Sequence, residues 1–240
     1  MRSSRVVRNI DGLGEVILHR SRKARRYGIR VEPFMGLVVV VPWNASYDSA
    51  LKVVERHRAW VVRHLAMAKS REVKLTRSAN TGRRVTRMHI LEAHPDDIDS
   101  VDIQVRRGVI SVCYPRTLSL ESATVQKAMR DGVESAYRLE ARRYIPMRVR
   151  ELAGRHGFRY GRLTLKNLRS RWGSCSTANN INLNIQLMRL PDDLIDFVIL
   201  HELVHTQIKD HGPKFWRSLE RVSGSAKALD GRLRKAHVWG

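Results

Sequence analysis

Residues 201 to 205 read His201-Glu202-Leu203-Val204-His205, and a third histidine, His211, follows six positions after the second. On a helix of 3.6 residues per turn, two histidines four apart project from one face, one turn above the other. Both imidazoles therefore reach a single metal ion and supply half of a tetrahedral shell. Glu202 is not a ligand in such a pattern. One residue along from His201, it faces a metal-bound water as general base, and that is what turns a metal site into a hydrolytic one.

Such a pair must sit on a helix that other elements hold still. The run Leu190-Pro191-Asp192-Asp193-Leu194-Ile195-Asp196-Phe197-Val198-Ile199-Leu200 has Pro and Asp where a helix start prefers them, then apolar residues at helical spacing. The helix is expected to stop near Lys209-Asp210-His211-Gly212-Pro213, where a Gly-Pro pair breaks the pattern. His211 is then free to swing under the helix and give the third nitrogen.

The string Arg171-Trp172-Gly173-Ser174-Cys175-Ser176, the run Ile181-Asn182-Leu183-Asn184, the Leu190-Pro191 start, the HELVH pentapeptide, and His211 followed by Phe215-Trp216 resemble the YgjP-like family of zinc metallohydrolases. That family is related to the SprT-like and WLM proteases. The stretch from Arg20 to Val31 is similar to the family's basic N-terminal segment, whereas residues 70 to 115 match nothing named. The resemblance implies a zincin-like catalytic domain with His201, His205 and His211 as ligands and Glu202 as catalytic carboxylate. It also places the Arg171 to Cys175 hairpin near the metal, which makes Arg171 and Ser174 candidates for contact with substrate or oxyanion. Asn182 and Asn184 either orient ligands or face water. The alternatives for Arg171 and Trp172 are a salt bridge fixing the hairpin and a core residue.

The spacing from His205 to His211 equals that of the metzincin proteases, whose pattern has a Gly where this chain has Ile208. Without that Gly the helix is expected to run further and turn at Gly212-Pro213. Three imidazoles favour one Zn2+ by ligand type, with nickel or manganese as other divalent candidates.

The second feature is charge. Lys and Arg number 45 against 23 Asp and Glu, a net +22. The excess divides evenly on either side of residue 115, so it is no basic tail. A field of that size attracts polyanions and makes nucleic acid, nucleotides or acidic proteins plausible partners. The densest clusters are Arg20 to Arg30, Lys69 to Arg87, and Arg138, Arg142, Arg143, Arg148, Arg150 and Arg155. Aromatic residues are 6% of the chain and none of these clusters interleaves them in the manner of a base-stacking platform, which argues against specific reading of single strands. No stretch approaches the ~18 apolar residues of a membrane helix, and the start, Met1 to Arg8, lacks an apolar signal core. The expectation is a cytoplasmic protein that is not in a membrane. Two distant cysteines, Cys113 and Cys175, suit a reducing compartment, with Cys175 expected as buried packing rather than a ligand.

The predicted fold class is α+β. A β-rich domain with one helix occupies residues 1–115, and a zincin-like metallohydrolase domain of long backing helix, small sheet and HExxH helix occupies residues 116–240. In the first, strands are expected at Glu15 to His19 and Leu37 to Val41, the latter in a hairpin with Ile29 to Val31 through a Pro33-Phe34-Met35-Gly36 turn. One helix is expected at about 46–69, capped by Ser46 or Asp48 and packed through Trp60. A linker should cover 70–84, and strands Val85 to Leu91 and Val101 to Tyr114, the latter turning at Arg107-Gly108. In the second, a helix is expected from about Ser119 to His156, with Gly132 and Pro146 as weak points. Ile181 to Leu187 alternates as a half-exposed strand whose edge is expected to pair with an extended peptide. His156 and His237 are expected as surface or packing histidines.

Two classes of activity follow. One is a zinc peptidase, acting on peptide or protein, including protein bound to nucleic acid. The other is a phosphohydrolase of nucleotides or another small anionic substrate, its phosphates clamped by arginine. A metal-stabilised nucleic-acid-binding module without catalysis is the third alternative.

Overall fold

The computed structural model describes residues 5–32, 36–168 and 170–236. The expected turn at Pro33-Phe34-Met35, and His237, lie outside the described residues. Chain contacts gather the residues into two compact units, each discontinuous in sequence. One holds Met1–Arg83, Leu91–Gln104 and Ser111–Asp131, and the other Arg84–Ile90, Val105–Ile110 and Gly132–Gly240. The sequence placed a single division at 115.

The first unit is built on strands β1 (Arg5–Ile10), β2 (Gly14–Ser21), β3 (Gly28–Glu32) and β4 (Gly36–Pro42), in the order β1-β2-β4-β3. β3 and β4 form the expected antiparallel hairpin, while β2 and β4 run parallel at the centre. Strand alternation sends Val16, Leu18, Leu37, Val39 and Val41 to one face. There they close a core with Ala50, Val54 and Val61 from two helices.

Those helices are α1 (Tyr47–Arg56) and α2 (Arg58–Ser78). Ser46 is the cap, its Oγ accepting from the Ser49 N–H at 3.1 Å. The single helix expected over 46–69 is thus broken at His57. There Arg58 bonds back to Glu55 at 2.7 Å and donates to the Asp11 carbonyl. The linker expected over 70–84 is also corrected, because α2 continues to Ser78. Residues 70–78 contain neither Gly nor Pro, so nothing in them stops a helix already begun. The stop comes at Asn80, in the left-handed region at φ 59°, with its amide bonded to both the N–H and the carbonyl of Ala93. Trp60, expected in the core, is 39% exposed and stacks on His64.

A second sheet has the order β5-β7-β6, from β5 (Ile90–Asp96), β6 (Asp102–Arg106) and β7 (Val109–Pro115). The strand expected at Val85 begins only at Ile90. Arg107 and Gly108 make the expected turn, both with positive φ as a tight hairpin requires. The backing helix α3 (Ala123–His156) runs unbroken through Gly132 and Pro146.

The second unit has strands β8 (Leu163–Lys166), β9 (Gly173–Cys175) and β10 (Ile181–Asn184) and helices α4 (Asp192–Val204), α5 (Pro213–Ser223) and α6 (Ala226–Lys235). Its core joins Ile145, Val149 and Leu152 of α3 to Leu183, Ile195, Ile199, Leu203, Phe215 and Leu219. α4 is apolar on nearly every side, as a helix sunk in a core must be. The expected edge strand is overturned here. β10 is central, parallel to β8 and antiparallel to β9, and is mostly buried. After Asn184 the chain tightens into a 3-10 turn, Ile185–Arg189, which shortens the strand predicted to reach Leu187.

Three arginines from three segments grip the N-terminal half of α4. Arg87 bonds Asp192 at 2.6 Å and the Met188 carbonyl at 2.9 Å. Arg232 pairs with Asp193, and Arg148 takes Asp196 in a fork at 2.6 and 2.5 Å. Part of the basic content therefore anchors the helix that carries His201. Arg87 is itself held by a buried knot in which Glu140 accepts from the Thr86 hydroxyl, the Met88 N–H and His89 Nδ1 at 2.5, 2.9 and 2.8 Å. Among the described residues, no helix is long and apolar enough to cross a membrane.

Candidate metal centre

His201 sits in the last turn of α4 and His205 caps its C-terminus. The helix ends at Val204, earlier than the sequence suggested, although Ile208 stands where a Gly would have made the exit easy. The chain leaves by tightening: Thr206 and Gln207 bond the carbonyls three residues back at 3.0 Å each, and His205 Nδ1 bonds the Ile208 carbonyl at 2.9 Å. Asp210 Oδ1 then accepts from the Gly212 N–H at 2.8 Å, which fixes the turn holding His211 just before α5 starts at Pro213.

The three rings meet. His201, His205 and His211 bring their Nε2 atoms to 3.2, 3.1 and 3.1 Å of one another. A tetrahedral ion with nitrogens ~2.0–2.1 Å away would hold them about 3.4 Å apart, so the donor set fits a divalent cation with little adjustment. The protonation states suit this. Burial, then the neighbouring His205 and His211, push His201 down to about 3, and burial also lowers His205. Both are neutral, the ligating form. The Ile208 carbonyl accepts from His205 Nδ1–H, which leaves the Nε2 lone pair toward the cluster.

Glu202 is 5% exposed and its Oε2 has no hydrogen-bond partner among the described residues. Burial raises its carboxyl to about 8, opposed by the positive charge of Arg171. An orphaned buried oxygen beside three converging imidazoles is what remains when a cation and its water belong to the site. Two residues that the sequence motifs contain, but to which no role was given, complete the surroundings. Phe215 is fully buried and lies against all three rings, stacked on His205 at 4.5 Å, tilted to His211 at 4.7 Å and edge-on to His201 at 4.9 Å. Its signal was its place one turn after His211, in a helix begun by Gly-Pro. Gly173 passes so close to Glu202 that a Cβ there would stand 2.6 Å from Oε1.

The other candidates separate. Arg171 is exposed and reaches Glu202 by charge. Ser174 is half-buried on β9 and its Oγ accepts from Asn182 Nδ2 across the sheet at 3.3 Å. Asn184 does not face water. It is fully buried, with its amide donating to the Leu168 and Arg171 carbonyls at 2.7 and 2.9 Å and accepting from Gln186. It shapes the loop that delivers Arg171. Trp172 packs partly against the core. Cys175 is half-buried rather than buried, and Lys209 lies 3.7 Å from its sulfur while bonding the Ser176 carbonyl and Asn179. His156 tilts against Phe158.

A family model described as the YgjP-like metallopeptidase domain matches residues 25–236. The chain belongs to the YgjP-like family. It is a metal-dependent hydrolase of the metallopeptidase kind, as the histidine cluster and the resemblance led one to expect. No match is found among curated proteins. Similar solved structures include the metallopeptidase zymogen jannalysin of Methanocaldococcus jannaschii, at 22% identity over 38% of this chain and 95% of that one, with TM-score 0.35. The metallopeptidase zymogen abylysin of Pyrococcus abyssi matches at 20% identity over 38% and 93%, TM-score 0.35. A mutant of Wss1 from Saccharomyces cerevisiae matches at 23% over 41% and 83%, TM-score 0.32.

Proposed function

We propose that this YgjP-like chain is a zinc peptidase whose residues 116–240 carry the chemistry, with His201, His205 and His211 holding one ion and Glu202 acting as general base. The observation that carries this reading is the convergence of three Nε2 atoms within 3.2 Å, with a buried, unpartnered carboxyl oxygen on the residue next to His201. The ion, when bound, supplies the Lewis acidity that activates a water and polarises the scissile carbonyl.

Glu202 takes the proton of the attacking water and delivers it to the leaving amine as the C–N bond breaks and the C–O bond forms. Arg171 is the candidate to steady the oxyanion, because its charge already reaches Glu202; Ser174 is the alternative on the neighbouring strand. An extended substrate adds to β9, the edge strand, in place of β10. Trp172 and Ser176 direct their backbone bonds toward β10, so by alternation Gly173 and Cys175 present theirs to the open side.

The test is protein never exposed to a nickel column, with its metal identified by X-ray fluorescence. It is then offered denatured protein and nucleoside triphosphates, with and without chelator. Peptide fragments that vanish with chelation and return with zinc are expected. Phosphate release without fragments would overturn the peptidase reading.

A further inference from the structure

The parallel strands β2 and β4 end together, with Arg20 beside Val41 and Ser21 beside Pro42. Residues just past each strand therefore emerge side by side. The Arg22 guanidinium lies 4.6 Å over the Trp43 ring, and Arg20 lies 4.7 Å over the Tyr47 ring while donating to the Trp43 carbonyl at 3.0 Å. In the sequence the basic run Arg20 to Arg30 holds one aromatic, Tyr27, and no stacking platform. Folding brings Trp43 and Tyr47 to it from roughly twenty residues downstream, a pairing of planar groups that the run alone does not show.

These contacts sit at the rim of the core. Trp43 is 39% exposed and Arg22 is exposed, so burial does not account for them. Lys23, Arg25 and Arg26 follow on the connection to β3, all exposed.

We propose that this rim binds single-stranded nucleic acid. Trp43 and the flat guanidinium groups of Arg20 and Arg22 offer stacking surfaces to unpaired bases, and Lys23, Arg25 and Arg26 take the phosphates. A bare basic patch attracts any polyanion, whereas rigid planar groups add an attraction that only splayed bases satisfy. Duplex bases are already stacked, and lipid headgroups have no ring to offer. The net charge of +22 gives the long-range pull. The unit that carries the β1–β4 sheet becomes an anchor for a polyanion, independent of hydrolysis at Glu202.

The experiment is fluorescence anisotropy on the full chain with a short labelled oligothymidylate. A duplex of equal length, heparin and phosphatidylserine vesicles serve as competitors. Single strand should bind more tightly than all three. Trp43→Ala should weaken it roughly 5- to 100-fold, as loss of one stacked base does, with less than about twofold effect on duplex. Trp43→Phe, which keeps a ring, should retain most of the binding. Arg25→Ala with Arg26→Ala should lower the salt slope by about 1.4, the share of two phosphates. If Trp43→Ala fails to fold, exposed Arg22→Ala is measured in its place and should also weaken single-strand binding. Equal affinity for duplex, heparin or vesicles, or a ring-deleted or Arg22→Ala variant that binds like the parent, overturns the proposal. No peptide bond is cleaved in this assay, so its failure leaves the peptidase reading standing, and the reverse holds.

Discussion

Gly173 and Glu202 are in contact across the gap between β9 and α4: an added Cβ at Gly173 would lie 2.6 Å from Oε1 and 2.8 Å from Cγ of Glu202. The strand approaches the helix this closely only because position 173 has no side chain, and the strand backs the carboxylate. Gly173→Ala is expected to displace the carboxylate and lower kcat about 10- to 100-fold, since sub-ångström to 1 Å misplacement of a proton-transfer group costs that much. Metal content should not change. Full activity with the alanine would show that Glu202 does not need the position described.

Phe215 supports the three ligand rings. Phe215→Ala is expected to cost about 3–5 kcal/mol of stability, from the cavity left in a filled core. Phe215→Leu should cost far less but loosen the histidines. Zinc competition with a chromogenic chelator should then read roughly tenfold weaker binding, the range seen when support for a ligand is lost. Affinity equal to the parent would make Phe215 a core residue only.

Metal should stabilise the fold that binds it. With zinc at about 100 times its dissociation constant, binding contributes ~2.7 kcal/mol. Chelator is then expected to lower the Tm of the parent by roughly 5–10 °C. His211 is exposed, so His211→Ala leaves the fold standing and its Tm should ignore chelator. A variant that still responds would mean the third ligand is another residue.

Arg148 joins α3 to α4 through Asp196, with both side chains less than a quarter exposed. A double-mutant cycle with Arg148→Ala and Asp196→Ala should give a coupling of about 1–2 kcal/mol, above that of surface pairs because the fork is bidentate and partly shielded. Coupling near zero would remove the pair from the anchoring of α4.

Acid should loosen the same helix. The Arg232 guanidinium holds Asp193 below the usual carboxylate range. Because its folded pKa is depressed, its contribution is present above the ordinary value near 3.8 and is lost as pH falls through the lowered one. Arg232→Ala should lower Tm slightly at pH 7 and progressively less as the pH falls below 3.8. An effect that does not shrink with acid would separate Arg232 from Asp193.

The HExxH helix and the long helix behind it were legible because local spacing and breakers encode them. The place of β10 was not, since alternation along one strand says nothing about which strands flank it, and Asn184 reads the same whether an amide faces water or a loop carbonyl. The end of α2 was hidden because residues 70–78 read as a charged run without helical periodicity. Trp43 and Tyr47 met the Arg20 to Arg26 run only through the parallel register of β2 and β4. The early end of α4 rests on the tightened Thr206 and Gln207 backbone bonds and the His205 to Ile208 hydrogen bond, which no propensity foretells.

The most direct test is the rate of peptide-bond cleavage by zinc-loaded Glu202→Gln against the zinc-loaded parent. A fall of about 10²- to 10⁴-fold, with one zinc per chain retained in both, is expected of a lost general base. Cleavage at the parent's rate by the glutamine variant would contradict the account.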